Sequence, residues 1–77
     1  MIVLSDPQKE GLRQIKDLKE WMIKTLHIPD EHCWFNQAAL NRVTYHTLQA
    51  LKNKGFLKEV YETGYGEYYR FTGKEVK

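Results

Sequence analysis

The spacing of apolar residues along the chain changes once, close to Gly55. Before this glycine, apolar side chains recur every three or four residues, as on one face of an α-helix. After it come two short runs rich in aromatic and β-branched residues. This order predicts an α+β fold in which the helices pack on a C-terminal β-hairpin. A chain of 77 residues has room for one such domain, which we place at residues 1–77.

The first helix is predicted over residues 7–26. Ser5 or Asp6 can cap it, and Pro7 fits the first turn, where no backbone N–H donor is needed. A single apolar stripe runs along this segment and predicts the face that the helix buries. The stripe consists of Leu12, Ile15, Leu18, Met22 and Leu26.

A connector and a short aromatic segment come next. Pro29 cannot continue a helix, so residues 27–31 are predicted to link the helix to the following element. Residues 32–35, His-Cys-Trp-Phe, are predicted to form either a brief strand or a buried elbow. We expect both tryptophans, Trp21 and Trp34, in the core or at its edge.

A second apolar stripe predicts more helix between Asn36 and Lys54, and two arrangements are open. One is a single helix that Asn36 caps; the other is a short helix, a tight turn near residues 40–42 and a longer helix over about 41–54. Lysines in the last turn and Gly55 just beyond it are typical of a helix end. The stripe consists of Leu40, Val43, Thr44, Thr47, Leu48 and Leu51.

The C-terminal part predicts a hairpin. Residues 56–62 are expected to pair antiparallel with residues 67–72, because glycines at the turn between them supply the backbone freedom that a tight connection needs. The residues expected to be largely buried in the whole domain are Leu12, Ile15, Leu18, Met22, Leu40, Leu48, Leu51, Phe56 and Phe71.

The charge of the chain is small but uneven. The net charge is +2, yet residues 1–35 carry a balance of −1 and residues 36–77 a balance of +3. Between Asn36 and Lys58 there are four basic residues and no acidic one. A local basic stretch favours contact with a polyanion, and a solvated lysine-rich face is the alternative.

Several functional classes find no support. The one cysteine, Cys33, forms no intrachain disulfide, and no segment approaches the roughly 20 apolar residues of a membrane span. We therefore expect a cytoplasmic protein without membrane contact. His27, His32 and Cys33 match no zinc spacing, and no phosphate loop or nucleophile–base pair appears. No metal, other cofactor or enzymatic activity is expected.

One pattern resembles a known family. Leu48-x-x-Leu51-x-x-x-Gly55-x-Leu57, followed by a hairpin with glycines at its tip, is similar to the second half of winged helix-turn-helix DNA-binding domains. The resemblance implies that the Leu-x-x-Leu helix is the recognition helix, that the glycine ends it and that the hairpin is the wing. The segment over residues 7–26 corresponds to the family's first helix.

The resemblance and the residues together predict binding of double-stranded DNA by a small transcriptional regulator or accessory protein. On a helix, the face opposite the second stripe carries side chains that can pair with base edges in the major groove. These are Arg42, Tyr45, His46, Gln49 and Asn53. Lys52, Lys54 and Lys58 are expected on flanking phosphates, and Tyr65 and Arg70 are the expected contacts of the wing.

Two alternatives stay open. Glu62 and Glu67 flank the hairpin turn and would repel phosphates, so a hairpin that only closes the core explains the sequence as well as a wing that touches DNA, and a dimer contact is a further alternative. A homodimer is expected to help affinity, and Trp21 and Ile23 of the first helix are candidates for its interface. The second functional hypothesis is a protein–protein interaction module.

Overall fold

The computed structural model describes residues 3–64 and 66–75 and confirms an α+β fold. Two α-helices lie against a three-stranded antiparallel sheet, and two single 3₁₀ turns join them. In chain order the elements are α1 (Asp6–Thr25), a 3₁₀ turn (Asp30–His32), β1 (Trp34–Phe35), a second 3₁₀ turn (Gln37–Ala39), α2 (Tyr45–Asn53), β2 (Leu57–Thr63) and β3 (Gly66–Phe71).

Helix α1 agrees with the prediction to within a residue at each end. Ser5 caps it through a capping box: its hydroxyl accepts a hydrogen bond from the Gln8 N–H, and the Gln8 side chain accepts one from the Ser5 N–H. At the other end His27 takes a positive φ of 56°, and the Ile28 N–H bonds to the Met22 carbonyl at 3.1 Å. This left-handed closure ends the helix and gives the Met22 carbonyl a second hydrogen bond beside the one from the Leu26 N–H.

The second helical region follows the split arrangement, and α2 is shorter than predicted. Its cap is Thr44, whose side chain accepts from the Thr47 N–H, whereas the Asn36 side chain caps nothing. Residues 41–44 are not helical, because Thr44 is extended and Arg42 has a φ of 60°. The single-helix alternative and the helix start near residue 41 are therefore wrong. The apolar stripe continues in sequence through a segment where the backbone turns.

The hairpin is confirmed, and the aromatic segment before α2 joins it as a third strand. The strand order is β1-β3-β2, with Phe35 opposite Tyr69 on one side of β3. On the other side Leu57 pairs with Phe71 and Glu59 pairs with Tyr69. The next pair is Tyr61 with Tyr68, so Val60 is an extra residue in a β-bulge.

The core lies between the helices and one face of the sheet, and seven of the nine predicted core residues are buried. Leu18 and Leu40 are only partly buried at its margin. The prediction for the tryptophans is wrong for Trp21, which is 50% exposed on α1, and Trp34 lies outside the core on the sheet. The core also takes in Leu4, Cys33, Phe35, Val43, Leu57 and Tyr69.

Candidate nucleic-acid interface

A side chain of α1 holds the turn that precedes α2. The Gln14 side chain donates a hydrogen bond to the Asn41 carbonyl at 2.8 Å and accepts one from the Asn41 N–H at 2.7 Å. The next residue, Arg42, is exposed and has a positive φ, which is uncommon for a residue with a side chain. Its guanidinium has no hydrogen bond or ion pair with the described residues. Arg42 therefore projects from a braced turn and not, as predicted, from a helix face.

Three predicted residues do lie on the solvent side of α2. Tyr45 is 51% exposed, and His46 and Asn53 are also exposed. Leu48 and Leu51 on the opposite side are completely buried. The division of α2 into a core face and an outward polar face is thus as the stripe predicts, over a shorter helix.

Gln49 is oriented differently from the prediction. Its side-chain N–H group donates to the Tyr69 hydroxyl at 2.9 Å and to a Glu67 carboxylate oxygen at 3.2 Å. The Tyr69 hydroxyl also donates to Glu67, and burial together with this bond raises the pKa of Tyr69 above its ordinary value. The amide is therefore used in fastening α2 to β3, and pairing with a base would require breaking these bonds.

The two lysines of α2 and its C-terminus already have partners. Lys52 Nζ lies 2.9 Å from Glu59 Oε2 on β2, and this carboxylate raises the pKa of Lys52. Lys54 Nζ donates to the Val3 carbonyl and to Gln8 Oε1, both at 2.8 Å. Both side chains hold α2 to neighbouring elements, so the cationic segment is less open to phosphates than its sequence suggests.

Lys58 and Arg70 lie on a different surface from α2. They pair across β2 and β3 on the outer face of the sheet, the face that points away from the helices. Lys58 is exposed, and Arg70 is partly buried with an Nε atom that has no hydrogen-bond partner among the described residues. The predicted wing residue Tyr65 lies outside the described residues.

The carboxylates of the hairpin lie on the opposite side from these cations. Glu59 pairs with the buried Tyr69, and Glu67 bonds to that tyrosine and to α2, so both face the helices. Glu62 pairs with Glu67, and both border a cleft of about 230 Å³ beside α2. The hairpin is therefore acidic toward α2 and basic on its outer face.

Sequence reasoning missed a row of aromatic rings on this outer face. Trp34 and Tyr61 are 38% and 39% exposed, and their ring centroids are 5.3 Å apart. Tyr61 stacks on Tyr68 at 4.7 Å, and His32 meets Trp34 edge-on at 5.7 Å. We call Trp34, Tyr61 and Tyr68, with Lys58 and Arg70, the aromatic face. Alternation along each strand is the signal for it, but the bulge at Val60 interrupts that alternation.

Cys33 is a structural residue. Its thiol lies 3.4 Å from the Pro29 carbonyl oxygen and 3.8 Å from that of Ile28, and burial raises its pKa. Within residues 3–64 and 66–75, no three His, Cys, Asp or Glu side chains are grouped as metal ligands would be. The helices of the same residues include none with the length and apolar character needed to cross a bilayer.

Comparison of the chain with protein-family models, with curated proteins and with solved structures gave no match in any of the three. What the protein does is therefore inferred from its own residues.

Proposed function

We propose that this domain binds double-stranded DNA through the turn before α2 and the outward side of that helix. The observation that carries the proposal is Arg42, an exposed guanidinium on a backbone turn that is both strained and braced. A side-chain-bearing residue in the left-handed region costs about 1–2 kcal/mol, and such residues are concentrated at functional sites.

The neighbours of Arg42 suit this role. Tyr45 and His46 are exposed in the first turn of the helix that follows it, Asn53 is exposed at the other end of that helix, and no carboxylate occurs in the sequence from residue 36 to residue 58. Arginine can form two hydrogen bonds to guanine or to a phosphate, and asparagine can pair with adenine. An exposed helix with these groups is suited to the major groove.

The order of elements also supports the proposal. The winged-helix resemblance implies a long first helix, a second helix that ends just before Gly55, a strand that begins at Leu57 and a returning strand. In this proposal α2 is the recognition helix, and the hairpin contributes few phosphate contacts beside it because Glu59, Glu62 and Glu67 lie on that side. We thus place the duplex against the start of α2 and not between α2 and the hairpin.

Fluorescence anisotropy with a labelled random-sequence duplex over a range of salt concentrations tests the proposal. We expect affinity to fall steeply with salt, and Arg42→Ala to weaken binding by about 5- to 100-fold, equivalent to about 1–3 kcal/mol. Arg13→Ala is the matched control, because Arg13 is also an exposed arginine, on α1, and it pairs with Glu10 and Asp17.

Two results would contradict this function. One is no binding of the wild-type protein to any duplex at low salt, and the other is equal losses for the Arg42 and Arg13 variants. The first result would favour the interaction-module hypothesis, for which the exposed aromatic side chains are the specific support.

A further inference from the structure

We infer that the aromatic face of the sheet is a second binding surface, and that its ligand is single-stranded nucleic acid. Unpaired bases would stack on Trp34 and Tyr61 while the phosphates lie near Lys58 and Arg70. This site is separate from the one proposed for duplex DNA, because it lies on the side of the sheet that faces away from the helices.

The rings of the aromatic face lie over the middle of the sheet. Strands β1 and β2 flank β3, so contact between Trp34 and Tyr61 means that their rings meet above the central strand. The Trp34 ring is held there by its Nε1–H, which donates to the Glu31 carbonyl at 3.1 Å. The row is therefore a fixed surface and not a set of freely rotating side chains.

The rings of the aromatic face are not part of the buried core. The buried side chains of the sheet, Phe35, Leu57, Tyr69 and Phe71, point to the helix side. More than a third of both Trp34 and Tyr61 is exposed on the other side. Rigid, exposed aromatic rings that the fold does not bury are typical of a surface that covers a ligand.

Two positively charged side chains accompany the rings on this face. Lys58 and Arg70 form no ion pair with the described residues, while the hairpin carboxylates Glu59 and Glu67 face the helices. Asp30, near Arg70, is already paired with Lys19 at 2.6 Å. The aromatic face therefore combines flat apolar rings with unneutralised positive charge.

These features together select one class of ligand. Single-stranded DNA and RNA carry flat bases and a phosphate at every step, and proteins bind them by aromatic stacking beside cations. In a duplex the base faces are hidden in the stack, so a duplex can use only the cations of this surface. Tyr68 already stacks on one face of Tyr61, so the open ring area of Trp34 and Tyr61 fits at most about two bases, as on other stacking sheets.

Fluorescence anisotropy with a labelled oligothymidine of about ten nucleotides tests the inference at low salt. We expect Tyr61→Leu to weaken binding by about 5- to 100-fold, because leucine keeps an apolar contact but has no face for a base. Tyr61→Phe keeps the ring and should bind like the wild type. Lys58→Ala should lower the slope of log affinity against log salt by about 0.7, and the exposed Lys24→Ala on α1 should leave it unchanged.

An amide NMR titration of the wild-type protein gives a readout that needs no substitution. Oligothymidine should shift amides of residues 34, 58, 61, 68 and 70, whereas a duplex should shift those of residues 42–46 and 53. In a Trp21→Phe variant Trp34 is the one remaining tryptophan, so quenching of its fluorescence by the oligonucleotide reports stacking directly.

Three results would overturn the inference: no binding of oligothymidine at low salt, equal affinity of Tyr61→Leu and wild type, or amide shifts confined to α2. Because the duplex site uses different residues, loss of duplex binding in Arg42→Ala with normal oligothymidine binding would leave this inference standing. Failure of the wild type to bind oligothymidine, together with duplex binding that Arg42→Ala weakens, would leave the duplex proposal standing.

Discussion

Gln14 in the middle of α1 holds the backbone of Asn41, 27 positions later, by two hydrogen bonds of 2.8 and 2.7 Å. The side-chain amide matches the N–H and C=O groups of one peptide residue, as a neighbouring strand would. The turn that presents Arg42 is thereby tied to the longest helix of the domain.

Removing this connection should loosen the turn. Gln14→Ala is expected to lower the free energy of unfolding by about 1–2 kcal/mol, since each net hydrogen bond contributes about 0.5–1.5 kcal/mol. It should also speed hydrogen exchange at the Asn41 amide. Urea denaturation and exchange measured by NMR check this. Lys24→Ala, which removes an exposed ion pair with Glu20, is the control and should cost less than about 1 kcal/mol.

Arg42→Gly should separate binding from stability. Glycine tolerates the positive φ at this position, which relieves about 1–2 kcal/mol, but it adds about 0.5–1 kcal/mol of unfolded-state entropy. Stability should therefore stay within about 1 kcal/mol of the parent while duplex affinity falls. Thermal melts and anisotropy measure the two effects. A glycine variant that binds duplex as well as the parent does would show that the guanidinium makes no contact.

The core prediction concerns α2. Leu48→Ala and Leu51→Ala should each cost about 2–5 kcal/mol, because both side chains are fully buried between α2, α1 and the sheet. Leu26→Ala is the matched control, since Leu26 is about half exposed just after α1. Equal urea midpoints for all three variants would be incompatible with the packing described here.

The raised pKa of Tyr69 predicts that the folded protein loses stability at alkaline pH. Burial and the bond to Glu67 raise the pKa of Tyr69 in the folded protein, whereas an unfolded tyrosine loses its proton near pH ~10. Above that pH the folded state binds more protons than the unfolded state, so the free energy of unfolding should fall as pH rises.

Urea denaturation at several pH values checks this slope. Tyr69→Phe should flatten it, and should also lower stability at neutral pH by leaving Gln49 and Glu67 without their shared partner. Tyr61→Phe, at an exposed tyrosine on the outer face of the sheet, should change neither quantity. An unchanged slope in Tyr69→Phe would assign the alkaline effect to other groups.

Local signals in the sequence were sufficient for α1 and for the hairpin. Ser5 and Pro7 mark the start of α1, and the glycines at the turn mark the connection between β2 and β3. These elements form from residues close together in the chain, so propensity and periodicity predict them.

The start of α2 and the interface residues depend on distant contacts. Asn36 and Thr44 are both good caps, and the bonds of Gln14 to Asn41 hold the backbone between them in a turn, a contact that local patterns do not contain. In the same way, Gln49 and Lys52 read as free polar groups on a helix until β2 and β3 bring Glu59 and Glu67 beside them.

The extra residue Val60 determines which side chains of β2 lie on each face of the sheet beyond the bulge. Strict alternation from Lys58 would turn Tyr61 toward the helices and Glu62 toward solvent, and the bulge reverses both. Deleting Val60 would place Lys58, Glu59, Tyr61 and Glu62 in regular alternation, with Tyr61 outward and Glu62 toward the helices as they are now. A variant that lacks Val60 would thus keep the aromatic face on a regular strand, whereas a variant that keeps Val60 and pairs it regularly with β3 would turn Tyr61 inward and a carboxylate outward.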